Sequence, residues 1–304
     1  MSRHRPVNFQ LCNEGISTPS GHRTYVVTRP DAPRPGAPLV ILLHGNSGSA
    51  RQVMGQTFVR SPLSLWLSIA DREGLVVAAL DGARGYERQQ GWNDGRPGAV
   101  GNPDTNDVDF VDRLIGALHQ QYGIDKQRVY LMGMSNGGLM TFRLALELQN
   151  RPAAIAAVCA SMPGEVRPAL PSKPLPVLMI AGTADPIMPY VGGHVSFNGR
   201  PRGATLGFKE TVEFWKTTNG LSGDPVVRDI PARRRVNNGT RVISKTWGQP
   251  GQALVRLLRV EGGGHTEPSI SQRYGFLYRR IAGLQNGDIE AADEAWSFFQ
   301  ENKV

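Results

Sequence analysis

The sequence predicts an α/β fold with a mainly parallel central sheet flanked by helices, and three observations predict it. Short apolar runs of strand length recur along the chain, helix-like segments separate several of them, and no internal repeat or low-complexity tract breaks the series. Strands alternating with helices require crossover connections, which produce parallel sheets covered on both faces. The strand-like runs cover residues 25–27, 39–43, 76–80, 129–132, 155–159, 177–180 and 255–260. Most are bounded by turn residues, as buried strands are. Residues 106–119 carry Val108, Val111, Leu114, Ile115 and Leu118 at helical spacing, and 137–148, 208–218 and 289–301 are also helix-like. The Pro- and Gly-rich residues 29–38 read as a long turn between two early strands. The polar, Gly-rich stretch between Tyr190 and Gly207 reads as an irregular excursion near the site. The 304 residues read as a single domain over 1–304, with 1–20 as an N-terminal extension.

Hydrophobic residues make up 40% of the chain and charged residues 20%, which excludes a disordered chain and supplies a sizeable core. The net charge of +8 raises the question of nucleic acid. The basic residues form no long block, however. The densest clusters, Arg233-Arg234-Arg235 and Arg279-Arg280, are not interleaved with aromatic residues, so a solvated basic surface is expected and no nucleic-acid partner. Cys12 and Cys159 do not make a disulfide framework, although they could pair, and Cys159 lies in an apolar run that suits a buried thiol. No CxxC motif or His/Cys cluster has zinc spacing, so no metal is expected. No apolar run approaches the ~20 residues of a membrane span. Residues 1–15 lack the apolar core of a signal peptide. The expected compartment is the cytoplasm, or the periplasm or exterior if a leader has been removed.

The chemistry concentrates at Gly133-Met134-Ser135-Asn136-Gly137, a G-x-S-x-G pattern. It follows a strand-like run and opens a helix-like one, the setting of a nucleophile elbow in the α/β-hydrolase fold. The sharp turn lifts the Ser hydroxyl above the sheet, and its neighbours two residues away must lack bulk. A Ser hydroxyl needs a base, and fold order requires Ser, then an acid, then His. Of the six histidines, only His194 and His265 follow Ser135. His265 ends Gly262-Gly263-Gly264-His265 directly after the last strand-like run and is preferred; His194 comes too early. Asp185, in the loop after residues 177–180, is the expected acid, whereas no clear strand precedes Asp224 or Asp229. The oxyanion donors are expected to be the N–H groups of Asn136 and Asn46, with Gly45 and Ser47 as alternatives to Asn46. His44 precedes the nucleophile and is expected to hydrogen-bond within its own loop. Asp104 and Asp107 read as favourable charges in a helix's first turn. This chemistry calls for no cofactor.

Residues 129–163, with Gly-Met-Ser-Asn-Gly-Gly-Leu-Met at their centre, resemble the feruloyl esterase and polyhydroxybutyrate depolymerase family, and within it the LpqC-type members. Supporting motifs are Leu42-Leu43-His44-Gly45, Trp92-Asn93-Asp94, Asn106-Asp107-Val108, Gly182-Thr183-Ala184-Asp185-Pro186 and Gly262-Gly263-Gly264-His265-Thr266. The resemblance covers roughly residues 24–300. It implies the same triad and places Trp92 near the pocket; Tyr190 and Glu267 complete the substrate-binding candidates. Where that family often carries a Trp two residues after the catalytic His, this chain has Glu267.

The resulting expectation is a serine carboxylic ester hydrolase working through an acyl-enzyme. Its expected substrate is a small or oligomeric soluble ester of the hydroxyalkanoate or hydroxycinnamate type. An acyltransferase would use the same triad; a noncatalytic binding module or a peptidase on this fold are further alternatives. Crystalline polyester is not expected, because the helix-like residues 289–301 close the chain without a linker and binding module. A polymer-binding face on the catalytic body would show as an exposed apolar patch.

Overall fold

The computed structural model describes residues 9–30, 35–164, 170–197, 199–233, 239–249 and 251–302. The described residues open with a hairpin of β1 (Phe9–Thr18) and β2 (Gly21–Pro30), so residues 9–18 of the expected N-terminal extension form an edge strand. β3 (Leu39–Leu43) follows, every residue buried, then the short helix α1 (Ala50–Val53), α2 (Trp66–Glu73) and β4 (Val76–Leu80). A small hairpin of β5 (Ala83–Arg84) and β6 (Gln90–Gly91) precedes the long helix α3 (Asp107–Tyr122). Asn106 caps α3 by accepting from the Asp109 N–H, and Gly123 ends it in the left-handed conformation. β7 (Val129–Met134) runs into α4 (Asn136–Glu147), and β8 (Ala154–Val158) and β9 (Val177–Gly182) follow. A second hairpin, β10 (Gly193–Phe197) and β11 (Arg200–Thr205), leads to α5 (Phe208–Thr218). The chain continues through β12 (Val226–Ile230), β13 (Arg241–Trp247), β14 (Val255–Glu261), α6 (Phe276–Ala282) and α7 (Ala291–Glu301).

Ten strands form one sheet in the order β1-β2-β4-β3-β7-β8-β9-β14-β13-β12. The six from β4 to β14 are parallel, and the pairs at both margins are antiparallel. Alternation along β3 shows why both faces must be covered. Leu39, Ile41 and Leu43 enter one apolar layer, with Phe110 and Leu114 of α3, Phe142 of α4 and Trp215 of α5. Val40 and Leu42 enter the other, with Trp66 of α2 and Trp296 and Phe299 of α7. Tyr130 stacks on Phe299 at 4.8 Å between centroids, tying the central strand β7 to the last helix. The fold is therefore the α/β-hydrolase fold.

The structure departs from the expected elements where polarity hid the pattern. The stretch read as an irregular excursion is the β10–β11 hairpin, and beyond β14 the sheet gains β13 and the mostly exposed edge strand β12. Asp107 does more than favour a helix terminus: it is buried, pairs with Arg23 at 2.6 Å and accepts from the Asn93 N–H at 2.7 Å. Arg234 and Arg235 lie outside the described residues. Among the described residues, no helix is long and apolar enough to cross a membrane.

Candidate active site

The loops that follow β3, β7, β9 and β14 all emerge at the carboxyl edge of the parallel strands, where open α/β sheets hold their ligands. Between β7 and α4 stands Ser135, with φ of 56° and ψ of −120°. A positive φ at a residue with a Cβ is strained, at roughly 1–3 kcal/mol. Two main-chain bonds hold it there: the Ser135 N–H donates to the Val158 carbonyl, and the Leu139 N–H donates to the Ser135 carbonyl. The flanking glycines are required by contact. A Cβ on Gly133 would lie 2.1 Å from the Gly137 carbonyl oxygen, and one on Gly137 would lie 2.3 Å from that of Leu43. The elbow is thus folded on itself and pressed against β3.

The Gly-rich loop after β14 brings His265 to this serine. Its N–H donates to the Ala282 carbonyl and that of Gly264 to the Leu284 carbonyl, so the end of α6 supports the loop. His265 Nε2 lies 2.8 Å from Ser135 Oγ, and Nδ1 lies 2.7 Å from Asp185 Oδ2. The other Asp185 oxygen accepts from the Ile187 and Met188 N–H groups, each at 2.8 Å. Both side chains are almost fully buried. This arrangement keeps the proton on Nδ1 and leaves Nε2 free to take one from the serine hydroxyl. The alternatives lie elsewhere: His194 is exposed in β10, Asp224 is exposed, and Asp229 pairs with Arg241 on the surface strand β12.

The loop after β3 passes beside the elbow. The Ser47 N–H donates to the Gln90 carbonyl and is already engaged. The N–H groups of Asn46 and Asn136 donate to no described protein group, and both residues line the cavity with Ser135. His44 accepts from the Gly82 N–H at Nε2, at 2.9 Å, so its proton sits on Nδ1 and bonds the Gly45 carbonyl at 2.7 Å. Burial lowers the pKa of His44 and keeps the ring neutral.

Two of the three substrate-binding candidates do not line the cavity. Trp92 is fully buried beneath the loop, where its indole N–H donates to the His44 carbonyl at 2.9 Å. Its backbone is clamped by the Asn136 side chain, which accepts from the Trp92 N–H at 2.8 Å and donates to the Trp92 carbonyl. An indole with one donor satisfies this buried carbonyl while filling the space around it. Tyr190 stacks on Phe208 at 5.1 Å, outside the cavity.

Glu267 does line the cavity, and it is 1% exposed. It accepts from the Tyr274 hydroxyl at 2.5 Å and the Ser61 hydroxyl at 3.2 Å. Burial raises its pKa, and these hydroxyls only partly offset that. Between the ordinary and the raised pKa, the folded protein therefore holds a proton that the unfolded chain has released. This stability is complete below the ordinary carboxyl pKa, about 4.3, and is lost as pH rises through the raised value. Glu267→Gln is expected to melt above the parent protein at neutral pH, with the gap closing toward pH 4. A gap independent of pH in melting scans would contradict a buried titrating carboxyl here.

The cavity has a volume of about 430 Å³. Its apolar wall includes Val53, Leu63, Ile187 and Phe197, and its mouth carries Val59, Tyr278 and Ile281, which are 58%, 40% and 58% exposed. Phe276 and Leu277 in α6 are also exposed. Sequence reasoning missed this rim, because FLYRRIA shows no buried stripe. It also missed Arg96, Asn102 and Arg202, three polar residues of the cavity wall. Cys12 and Cys159 are both free. Cys159 Sγ is buried against the Thr266 carbonyl, 3.5 Å away. Burial raises its pKa well above the usual thiol range. Among the described residues, Cys159, Asp185 and His265 are the one group of ligating types close enough for a metal. Two of them are already joined by the 2.7 Å hydrogen bond.

Comparison with known proteins matches residues 24–195 to the family described as Esterase PHB depolymerase. NocK of Nocardia uniformis subsp. tsuyamanensis, a protein that bears an esterase name, is 31% identical over 86% of this chain and 74% of its own. Feruloyl esterase B of Piromyces equi is 30% identical over 79% of this chain but only 42% of its own length. Among solved structures, the acetyl xylan esterase from Aspergillus awamori superposes with a TM-score of 0.54 at 14% identity, covering 90% of this chain and 98% of that one. That likeness is one of fold.

Proposed function

Because the chain belongs to the esterase PHB depolymerase family, we propose that it is a serine carboxylic ester hydrolase with Ser135 as nucleophile, His265 as base and Asp185 as the acid that orients it. The observation that carries this reading is the unbroken Ser135–His265–Asp185 hydrogen-bond chain, 2.8 and 2.7 Å, opening on the cavity. Ser135 Oγ attacks the ester carbonyl carbon as His265 Nε2 takes its proton. The carbonyl oxygen, now an oxyanion, accepts from the free N–H groups of Asn46 and Asn136. The C–O bond to the alcohol breaks, and His265 returns the proton to the departing alkoxide. A water activated by His265 then hydrolyses the acyl-serine ester and releases the acid.

The 430 Å³ cavity suits small or oligomeric soluble esters, and the feruloyl esterase relative supports trying hydroxycinnamates beside hydroxyalkanoates. The exposed apolar rim of Val59, Tyr278 and Ile281 favours a second reading, in which the mouth rests on an insoluble ester surface. The test compares p-nitrophenyl butyrate, methyl ferulate and a polyhydroxybutyrate film, with products identified with and without an added alcohol. Release of free acid from the soluble esters is expected, at rates well above film erosion. Film erosion at rival rates would establish the second reading. Ester products in place of acid would make the protein an acyltransferase.

A further inference from the structure

The N–H groups of Asn46 and Asn136 come from separate loops, after β3 and after β7, and an oxyanion hole works only when both point at one oxygen. One short segment, Gln90-Gly91-Trp92, touches both loops. On the Asn46 side it holds the residues that bracket the donor. The Trp92 indole N–H donates to the His44 carbonyl at 2.9 Å, and the Gln90 carbonyl accepts from the Ser47 N–H at 2.8 Å. On the other side, the Asn136 side chain bonds the Trp92 main chain in both directions. Its Oδ1 accepts from the Trp92 N–H at 2.8 Å, and its Nδ2 donates to the Trp92 carbonyl at 3.1 Å. Between the two, Gly91 leaves no slack: a Cβ there would stand 3.1 Å from Asn136 Oδ1 and 3.3 Å from Asn46 Oδ1.

The segment is itself anchored from behind. Asp107, wholly buried, accepts from the Asn93 N–H at 2.7 Å and from Arg23 at 2.6 Å. The Arg23 guanidinium lies 5.9 Å from the Trp92 ring centre and 4.3 Å from that of Phe110. The His44 ring packs on the indole at 5.1 Å between centroids. Trp92 is thus fixed in place, and the one hydrogen-bonding atom of its side chain goes to the loop that carries Asn46. A phenylalanine there would fill most of the same space and make no such bond.

The donors matter most when charge develops on the oxygen, so their spacing bears on the transition state more than on the bound ester. A displacement beyond roughly 0.5 Å then costs turnover rather than binding.

Resting on the esterase reading, we propose that Trp92 is the positioning residue of the oxyanion hole: without touching the substrate, it spans the two loops and sets the spacing of the Asn46 and Asn136 N–H groups. Trp92→Phe tests this against Trp215→Phe. Trp215 is an equally buried tryptophan whose indole N–H has no acceptor among the described residues, so the same substitution there removes packing alone. The readout is the ratio of kcat/KM for p-nitrophenyl butyrate to that for its thionoester, in which sulfur replaces the carbonyl oxygen. Sulfur is larger and a weak acceptor, so the thionoester draws little from the hole. A general loss of folded protein or of triad function falls on both esters and cancels. Trp92→Phe is expected to lower kcat on the oxygen ester with KM nearly unchanged, and to lower the ratio by roughly tenfold, less than the ~10²–10³ that follows outright removal of a donor. Asn136→Ala keeps the donor N–H but severs the clamp on Trp92; it is expected to lower the ratio likewise, and it decides the matter should Trp92→Phe not fold. Trp215→Phe is expected to keep the parent ratio. An unchanged ratio in folded Trp92→Phe, or in Asn136→Ala in its place, or an equal drop in Trp215→Phe, would overturn the positioning role and leave the esterase reading intact. A parent protein that turns over no ester sinks the esterase reading, and the positioning role with it.

Discussion

Ser135→Ala is expected to lose turnover by a factor on the order of 10⁶, together with labelling by a fluorophosphonate probe, while the fold survives. The size of the loss follows from the geometry. Ser135 Oγ is the oxygen held 2.8 Å from His265 Nε2, and among the described residues no other hydroxyl is hydrogen-bonded to that ring. What remains in the variant is the oxyanion donors and the cavity, which together sustain only a residual rate. Survival of the fold is expected because the change removes one oxygen and keeps the Cβ, which already tolerates the positive φ. The two main-chain bonds of Ser135 are untouched, as are the glycines around it. Hydrolysis rates on p-nitrophenyl butyrate, probe labelling and a melting curve form the measurement. A folded Ser135→Ala protein that keeps both labelling and full activity would falsify the assignment.

Asp185→Asn is expected to slow turnover by up to about 10⁴-fold. The aspartate accepts three hydrogen bonds, from His265 Nδ1 and from the Ile187 and Met188 N–H groups. An asparagine can keep the two main-chain donors on its oxygen. Its amino group then faces His265 and donates to Nδ1, which forces the imidazole proton onto Nε2. The base would then have no lone pair for the serine hydroxyl. Partial recovery is expected at high pH, where the unfavourable tautomer matters less. Asp229→Asn is the control, because its carboxylate pairs with Arg241 on an exposed edge strand. Near-normal rates in Asp185→Asn alongside a large loss in Asp229→Asn would sink the assignment of the acid.

How far the site could be read from the chain differs from residue to residue, and contact distance explains the difference. Ser135 was legible because its constraint is local: residues 133 to 137 close on each other, so the glycines must appear in the motif itself. His265 and Asp185 were legible through order, since each follows a parallel strand that announces itself as an apolar run. The Trp92 motif stands out in the sequence as a neighbour of the pocket, and the fold puts it beside the pocket, with its indole turned under the loop onto the His44 carbonyl rather than into the cavity. Tyr190 lies outside the cavity, because its stacking on Phe208 depends on how the loop after β9 meets α5. Arg96, Asn102 and Arg202 gave no signal. Isolated polar residues in Gly-rich stretches look like solvated loop until burial is known.

By itself the sequence determined the parallel α/β architecture, because apolar strand runs and helical spacing are periodic properties of adjacent residues. It also determined the elbow and the order of its partners, because strand-to-loop transitions are local. Only the tertiary structure decided which polar groups meet. It set Glu267 against Ser61, 206 residues away, and assembled one cavity wall from Arg96, Asn102 and Arg202. It also turned the weakly patterned α6 into an exposed apolar rim. Burial is a property of position in space, and it alone converts a polar side chain from solvated surface into a group that must find a partner.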